Sequence, residues 1–338
     1  MATLETTVMK LLHGEALDEN YELCDFTLAD QNEACVAKGV TPIGPSDYVP
    51  VTKSTVTYIV LVVLVNSDDE VLMMQEAKST CAGQWYLPAG RVEPGENLQD
   101  AVKRECLEET GLEMELVTLL SVEAASKAWF RFIFTGNVTG GCLKTPAQAD
   151  SESLQAKWIK NISEVTLRSN DIIPLIECGR AFHNVTKKNK IRNDWHHNLL
   201  PVIKPHKKLL LRLLICARQK TSAKLYVLMS EKTQAHFPMC EINHNRNLHS
   251  TLRKFMTEIF GADVALHKPH GVLSIEHCGQ PEGSNDGLCL SLLVTFQKTL
   301  EDVFPIGKYS WTAVSTECAK LIALRTIRNM TVPLKVIC

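Results

Sequence analysis

Basic excess is missing from this sequence: 36 lysines and arginines stand against 38 aspartates and glutamates, a formal net charge of −2. That excludes the electrostatic footprint of a protein that grips a nucleic-acid polymer. It leaves room for a single nucleotide, because a divalent metal can neutralise a diphosphate where lysines do not. A long apolar run is missing too. The longest, Tyr58 to Val65, is far too short to span a bilayer, so no membrane partner is expected. No Cys-x-x-Cys pair occurs among the twelve cysteines, which read as reduced thiols and not as a disulfide or zinc framework. The first twenty residues hold no apolar stretch and carry Glu5, Glu15, Asp18 and Glu19, so a secretory signal is not expected and a cytoplasmic location is. The oligomeric state is left open.

What is present divides in two. A chain of 338 residues is long for one core. Residues 1–53 show weak periodicity and end in Thr41-Pro-Ile-Gly-Pro-Ser, which reads as a weakly structured leader with a short helix near Thr6 to His13. Residues 54–185 read as a first α/β domain, with strands at Tyr58–Asn66, Val71–Gln75, Trp85–Leu87, Met114–Ser121, Trp129–Val138 and Lys157–Ile162. The spacing predicts helices over Leu98–Thr110, stopped at Gly111, and over Ile172–Phe182. Residues 186–205, polar, basic and broken by Pro201 and Pro205, read as a linker, and 206–338 as a second domain.

The chemistry is concentrated between Gly90 and Leu112. Glu105, Glu108 and Glu109 are spaced i, i+3, i+4, so one helical face carries three carboxylates. Their repulsion is costly unless a cation sits among them, and hard oxygen ligands suit Mg²⁺ or Mn²⁺. Arg104 adjoins the cluster and Glu96 is its natural partner from the preceding turn. Gly95 allows a tight turn, and Gly90 lets a main-chain carbonyl approach the metal.

Gly90, Glu96, Arg104-Glu105, Glu108-Glu109, Gly111 and Leu112 fall in the register of the Nudix box, and residues 55–182 resemble the Nudix hydrolases. The resemblance implies an α/β/α sandwich acting on a nucleoside diphosphate linked to a further group. It implies Glu105 and Glu109 as direct metal ligands, Glu108 nearby or bound through water, the Gly90 carbonyl as a further ligand, and Arg104 with Glu96 as orienters. Glu105 and Glu152 are both candidates for the general base. Cys106 departs from the usual larger aliphatic, on a buried face. Gln75-Glu-Ala-Lys, Trp85-Tyr-Leu-Pro-Ala-Gly-Arg, Trp129-Phe-Arg-Phe-Ile-Phe and Glu152-Ser-Leu-Gln-Ala look like the 8-oxo-dGDP phosphatase branch. That branch implies hydrolysis of oxidised purine nucleoside diphosphates to monophosphate and phosphate, sanitising the nucleotide pool. Hydrolysis of another derivative such as ADP-ribose is the alternative. For the base, Phe132 and Phe134 share a strand face that could stack on it. Asn170 and Asp171 stand where purine-reading relatives place carboxylates, and a protonated Asp171 could donate to the carbonyl that oxidation creates.

After the linker the order of elements restarts. Leu248 to Gly261 runs in step with Leu98 to Gly111, and Leu273-Ser-Ile-Glu276 repeats Leu120-Ser-Val-Glu123. Laid on the first copy, Glu96 becomes Arg246, Glu105 becomes Phe255, Glu109 becomes Ile259, and only Glu258 remains opposite Glu108. Such a set cannot hold a hard dication, so the second domain is expected to be a degenerate, noncatalytic copy.

Overall fold

The computed structural model describes residues 4–18, 23–188, 195–222, 224–232 and 234–337. The centre of the expected linker, residues 189–194, lies outside them.

The leader holds the short helix expected near Thr6 to His13, but it is more structured than expected, with a second helix after the first. Leu4–Leu12 forms α1 and Leu28–Val36 forms α2. α1 sends Val8, Leu11 and Leu12, followed by Leu17, into an apolar cluster with Leu214, Val227, Phe237 and Leu273 of the second half. α2 starts at a reciprocal cap: the Thr27 hydroxyl accepts from the Asp30 amide, and the Asp30 carboxylate accepts from the Thr27 amide. Helices this short take their stability from what they dock on, so local periodicity carries little of the signal.

The first half contains Thr57–Val62 (β1), Val71–Glu76 (β2), Trp85–Tyr86 (β3), Ala89–Arg91 (β4), Leu98–Thr110 (α3), Leu112–Ala125 (β5), Trp129–Gly141 (β6), Ser153–Ile159 (β7) and Ile173–Lys188 (α4). β1 lies antiparallel to β4 and parallel to β6, with Val60 facing Gly90 on one side and Phe132 on the other; β5 flanks β6 antiparallel. β2, β3 and β7 form a separate small sheet.

The second half contains Val202–Ile203 (β8), His206–Arg218 (β9), Leu225–Ser230 (β10), Met239–Glu241 (β11), Leu248–Phe260 (α5), His267–His277 (β12), Asp286–Phe296 (β13), Tyr309–Ala313 (β14), Thr316–Arg325 (α6) and Leu334–Val336 (β15). The same pairing recurs: β9 lies antiparallel to β11 and parallel to β13, which β12 flanks antiparallel. Even the turn before the helix repeats. The Val62 amide donates to the Pro88 carbonyl, and the Leu213 amide donates to that of Pro238. The expected α/β architecture, a first copy followed by a second on the same plan, is the one observed.

Each copy gives its tail to the other. Beyond α4 the chain leaves Leu199 hydrogen-bonded to β5 of its own sheet, then adds β8 in parallel to β12 of the second sheet. Beyond α6, Val332 bonds to Val272 of β12, then β15 runs parallel to β5 of the first sheet, with Lys335 opposite Glu123. The expected linker is therefore structural where described. Trp195 and Leu199 are buried, Trp195 edge-on to Phe182. One apolar cluster runs through both halves, from Tyr58, Phe130, Phe132 and Phe134 to Leu211, Leu213, Leu290 and Leu292.

Because Leu11 is fully buried in the second half, Leu11→Ala should cost about 2–4 kcal/mol of unfolding free energy. Urea melts of the two full-length proteins measure it. A leader attached loosely would show no change beyond about 0.5 kcal/mol.

Candidate active site

α3 supplies the acids, and the strand before it makes room for them. Gly111 closes the helix in the left-handed conformation at φ 76°, its amide reaching the Leu107 carbonyl at 2.8 Å. Ahead of the helix, Gly95 makes the turn at φ 80°. The apolar side of α3 (Leu98, Ala101, Val102 and Cys106) enters the shared core. Cys106 packs without difficulty, its Sγ 3.7 Å from the Thr110 hydroxyl and its pKa pushed up to about 11 by burial.

On the next face Glu105 and Glu109 are themselves buried, 7 % and 2 % exposed. Glu109 Oε2 accepts from the Ala89 amide at 2.8 Å, which ties the carboxylate to β4. A Cβ on Gly90 would lie 2.0 Å from the Glu105 carboxyl carbon, so glycine there is what lets this side chain in. Arg104 meets Glu96 in a fork, Nε to Oε1 at 2.8 Å and Nη2 to Oε2 at 2.9 Å. Its Nη1 also donates to Glu105 at 2.8 Å and to Glu108 at 3.0 Å. The hydrogen bond to Glu96, then those to Glu105 and Glu108, hold the guanidinium pKa up. Burial works against the Glu96 charge, but Arg104 and the Glu93 amide prevail and its pKa is lowered.

The two buried acids shift the other way from Glu96. Burial raises the pKa of Glu105 despite Arg104, and the charges of Glu108 and Glu152 push the same way. Burial raises Glu109 well above the usual carboxylate range, with Glu105 and Glu76 adding repulsion against the Ala89 amide. Glu76 adds a further buried carboxylate: Arg168 holds its Oε1 at 2.5 Å, while Oε2 is buried without a hydrogen-bond partner. Buried hard oxygen donors, a strand cleared for one of them and an orphaned buried carboxylate oxygen fit a divalent cation. The box acids are not drawn tightly together, since Arg104 engages both Glu105 and Glu108. Among the described residues the compact group of metal-ligating atoms, within 4.8 Å of one another, is His206, Glu276 and Cys289 in the core of the second half. There His206 and Arg212 already satisfy Glu276.

Glu152 stands exposed on the turn before β7, its amide bonded to Asp150. Its charge is felt at Glu105, although no contact joins them.

The base-reading residues are corrected. Phe132 and Phe134 are fully buried in the shared core, where Tyr58 lies 6.3 Å from Phe132, so neither presents a face to a ligand. β6 alternates, and its other face carries Arg131. Arg131 reaches Asp171 at 2.6 Å and Glu123 at 2.7 Å, and donates to the Tyr86 hydroxyl at 3.1 Å. Tyr86 also donates to Asp171. Burial opposes the Asp171 charge, but the Ser169 hydroxyl, Arg131 and Tyr86 outweigh it and lower its pKa. Asp171 is thus a carboxylate surrounded by donors and not a protonated donor. Asn170 beside it is exposed. Tyr86, Arg131 and Arg168 were missed by sequence reasoning. The alternation of β6 would have put Arg131 opposite the buried phenylalanines. The contact of Arg168 with the Tyr86 ring, 4.8 Å from its centroid, has no local signal.

The sequence matches the NUDIX domain family over residues 56–169. It is 33 % identical over 339 aligned residues to a zebrafish (Danio rerio) protein named 8-oxo-dGDP phosphatase NUDT18, covering 96 % of this chain and 95 % of that one. The mouse and human proteins of that name are 34 % and 35 % identical, covering 83 % and 79 % of this chain and 88 % and 81 % of theirs.

A carboxyl whose folded pKa is raised contributes stability below its unfolded value, about 4.3 for Glu, and loses it as pH rises through the folded value. Glu109→Gln removes that loss. In EDTA the substituted protein should lose less melting temperature than the original between pH 5 and pH 8, and manganese should raise the melting temperature of the original alone. Parallel pH profiles would contradict the burial of an ionising acid.

Proposed function

The chain belongs to the NUDIX family, and on that premise we propose that it hydrolyses oxidised purine nucleoside diphosphates of the 8-oxo-dGDP and 8-oxo-GDP type to monophosphate and phosphate. Two strands of support meet here. Relatives bearing the name 8-oxo-dGDP phosphatase align with 79 % to 96 % of the chain. The observation that carries the reading is local: Glu105 and Glu109 are buried together beside Gly90 with their pKa values raised, a state that an ion of charge +2 would relieve.

Glu105 and Glu109 would hold Mg²⁺ or Mn²⁺, with the Gly90 carbonyl as a further ligand and Glu108 close by or reached through water. Such an ion, when bound, supplies charge neutralisation at the diphosphate and a more acidic water. The chain's own residues do the rest. Arg104, locked by Glu96, fixes the direction of Glu105, so the carboxylate is in place before substrate arrives. Ala89 fixes Glu109 in the same way. Lys144, bonded to the Glu108 carbonyl at 3.0 Å and to Asp150 at 2.6 Å, ties the end of α3 to the loop that bears Glu152. Glu105 and Glu152 both remain candidates for accepting the proton of the attacking water.

The cluster of Arg131, Tyr86 and Asp171 continues from Glu109 through Glu76 and Arg168. In this reading it takes over the polar edge of the base, with the exposed Asp171, held ionised by Arg131 and Tyr86, as an acceptor in place of a protonated Asp171. The substrate is a small nucleotide and not a polymer, and a reducing cytoplasm suits the free thiols of the described cysteines. Among the described residues no helix is long and apolar enough to cross a membrane.

Glu109→Gln should lower phosphate release by about 10³-fold or more, as removing one ligand or preorganised group from an electrostatic site does, whereas Glu258→Gln should leave it within about twofold. A panel of 8-oxo-dGDP, dGDP and ADP-ribose with Mg²⁺ reads the rates. Equal loss from both substitutions would defeat the assignment of chemistry to the first copy, and preference for ADP-ribose would move the substrate.

A further inference from the structure

The degenerate copy has a cavity along the outer face of the helix that matches α3. It measures about 460 Å³ and lies between α2 and α5, a size that suits a small ligand. α5 contributes Arg246, Arg253, Lys254 and Glu258, and α2 with the residues beside it contributes Phe26 and Lys38. In the register shared by the two helices, Arg246 stands for Glu96, Lys254 for Arg104 and Glu258 for Glu108. The fork that closes the first site is therefore replaced by two cations.

Those cations lack counter-charges. Arg246 gives only a 3.5 Å contact to the Ser250 hydroxyl, and its Nε is buried with no hydrogen-bond partner. Lys254 meets the Cys35 sulfur at 3.5 Å. Among the described residues neither they nor Lys38 and Arg253 form an ion pair, not even with Glu258 four residues beyond Lys254. By contrast Arg104 is surrounded by three carboxylates. The metal-binding positions themselves are filled by core: Phe255 and Ile259 are fully buried, and Phe26 stacks on Phe255 at 6.1 Å and 8°.

We propose that the cavity between α2 and α5 is a second, metal-independent site for a phosphate-bearing small molecule, with the phosphate held by Arg246, Lys254 and Arg253. Cations without an ion-pair partner that line one cleft gain most from an anion that accepts several charge-assisted hydrogen bonds. A dication would be repelled. The first copy engages the diphosphate through a metal, whereas the second engages phosphate through nitrogen. Phe26 offers an apolar wall beside the cations, so a nucleoside monophosphate has surface to cover that inorganic phosphate does not.

Calorimetry on the full chain carrying Glu109→Gln, in EDTA, tests this with two probes, inorganic phosphate and GMP. One saturating site per chain is expected for at least one of them. Tighter GMP binding assigns the Phe26 wall to the base, and equal binding assigns the site to phosphate alone. Arg246→Ala with Lys254→Ala should weaken binding at least tenfold, and raised salt should weaken it further. Arg253 is exposed, so Arg253→Gln tests the same point should the double substitution fail to fold. Absence of saturation by either probe at about 1 mM, or binding indifferent to these substitutions, would overturn the proposal. Neither result depends on catalytic turnover.

Discussion

Everything in this molecule hangs on an exchange of edge strands between its two halves. A lone sheet of this plan leaves β5 or β12 with unpaired backbone groups along one side, a liability for any soluble protein. Here β15 pairs with Val122 to Ala124 of β5 and β8 with Glu276 and His277 of β12, so part of each copy's edge is covered by the tail of the other. The apolar faces then merge into one core, and Tyr58 of the first half donates its hydroxyl to the Asp286 carbonyl of the second at 2.8 Å. The chain is in effect a dimer written as one polypeptide.

That arrangement explains why a copy without metal ligands persists. The loop after β12 presses on the turn that begins the box: a Cβ on Gly279 would lie 2.3 Å from the Glu96 carbonyl, and the Gly279 amide donates to Asn97 Oδ1 at 3.3 Å. Asn97 caps α3 in position but makes no side-chain cap bond to it, because its oxygen is spent across the interface. Glu96 sets Arg104, and Arg104 sets Glu105. Three short contacts therefore connect the second half to the carboxylate at the centre of the first.

How much of this the sequence showed depended on how local the cause was. The helix from Leu98 to Thr110 and its stop at Gly111 follow from neighbours within one or two turns, and they stand where they were expected. The restart of the pattern at Leu209 was visible because a repeated fold repeats its turn chemistry, down to Pro88 and Pro238. The leader and the linker were misjudged for one shared reason. Val8, Leu11, Trp195 and Leu199 are buried by residues far along the chain, which short-range periodicity cannot register. Phe132 and Phe134 misled in the opposite sense: an aromatic strand face was available to either a ligand or a core, and a core spanning two domains claimed it.

The asymmetry of the two helices shows how one fold can shed a metal without falling apart. At two buried positions on α3, Glu105 and Glu109, an acid carries a desolvation cost; the matching positions on α5 hold Phe255 and Ile259, which gain from the same burial. The exchange would have strengthened the second half while ending its chemistry there. Had the outer positions turned apolar as well, α2 could have sealed against α5. They hold Arg246 and Lys254 instead, cations that line the cavity without an ion pair among the described residues. Stability alone accounts for Phe255 and Ile259, but it does not account for Arg246 and Lys254.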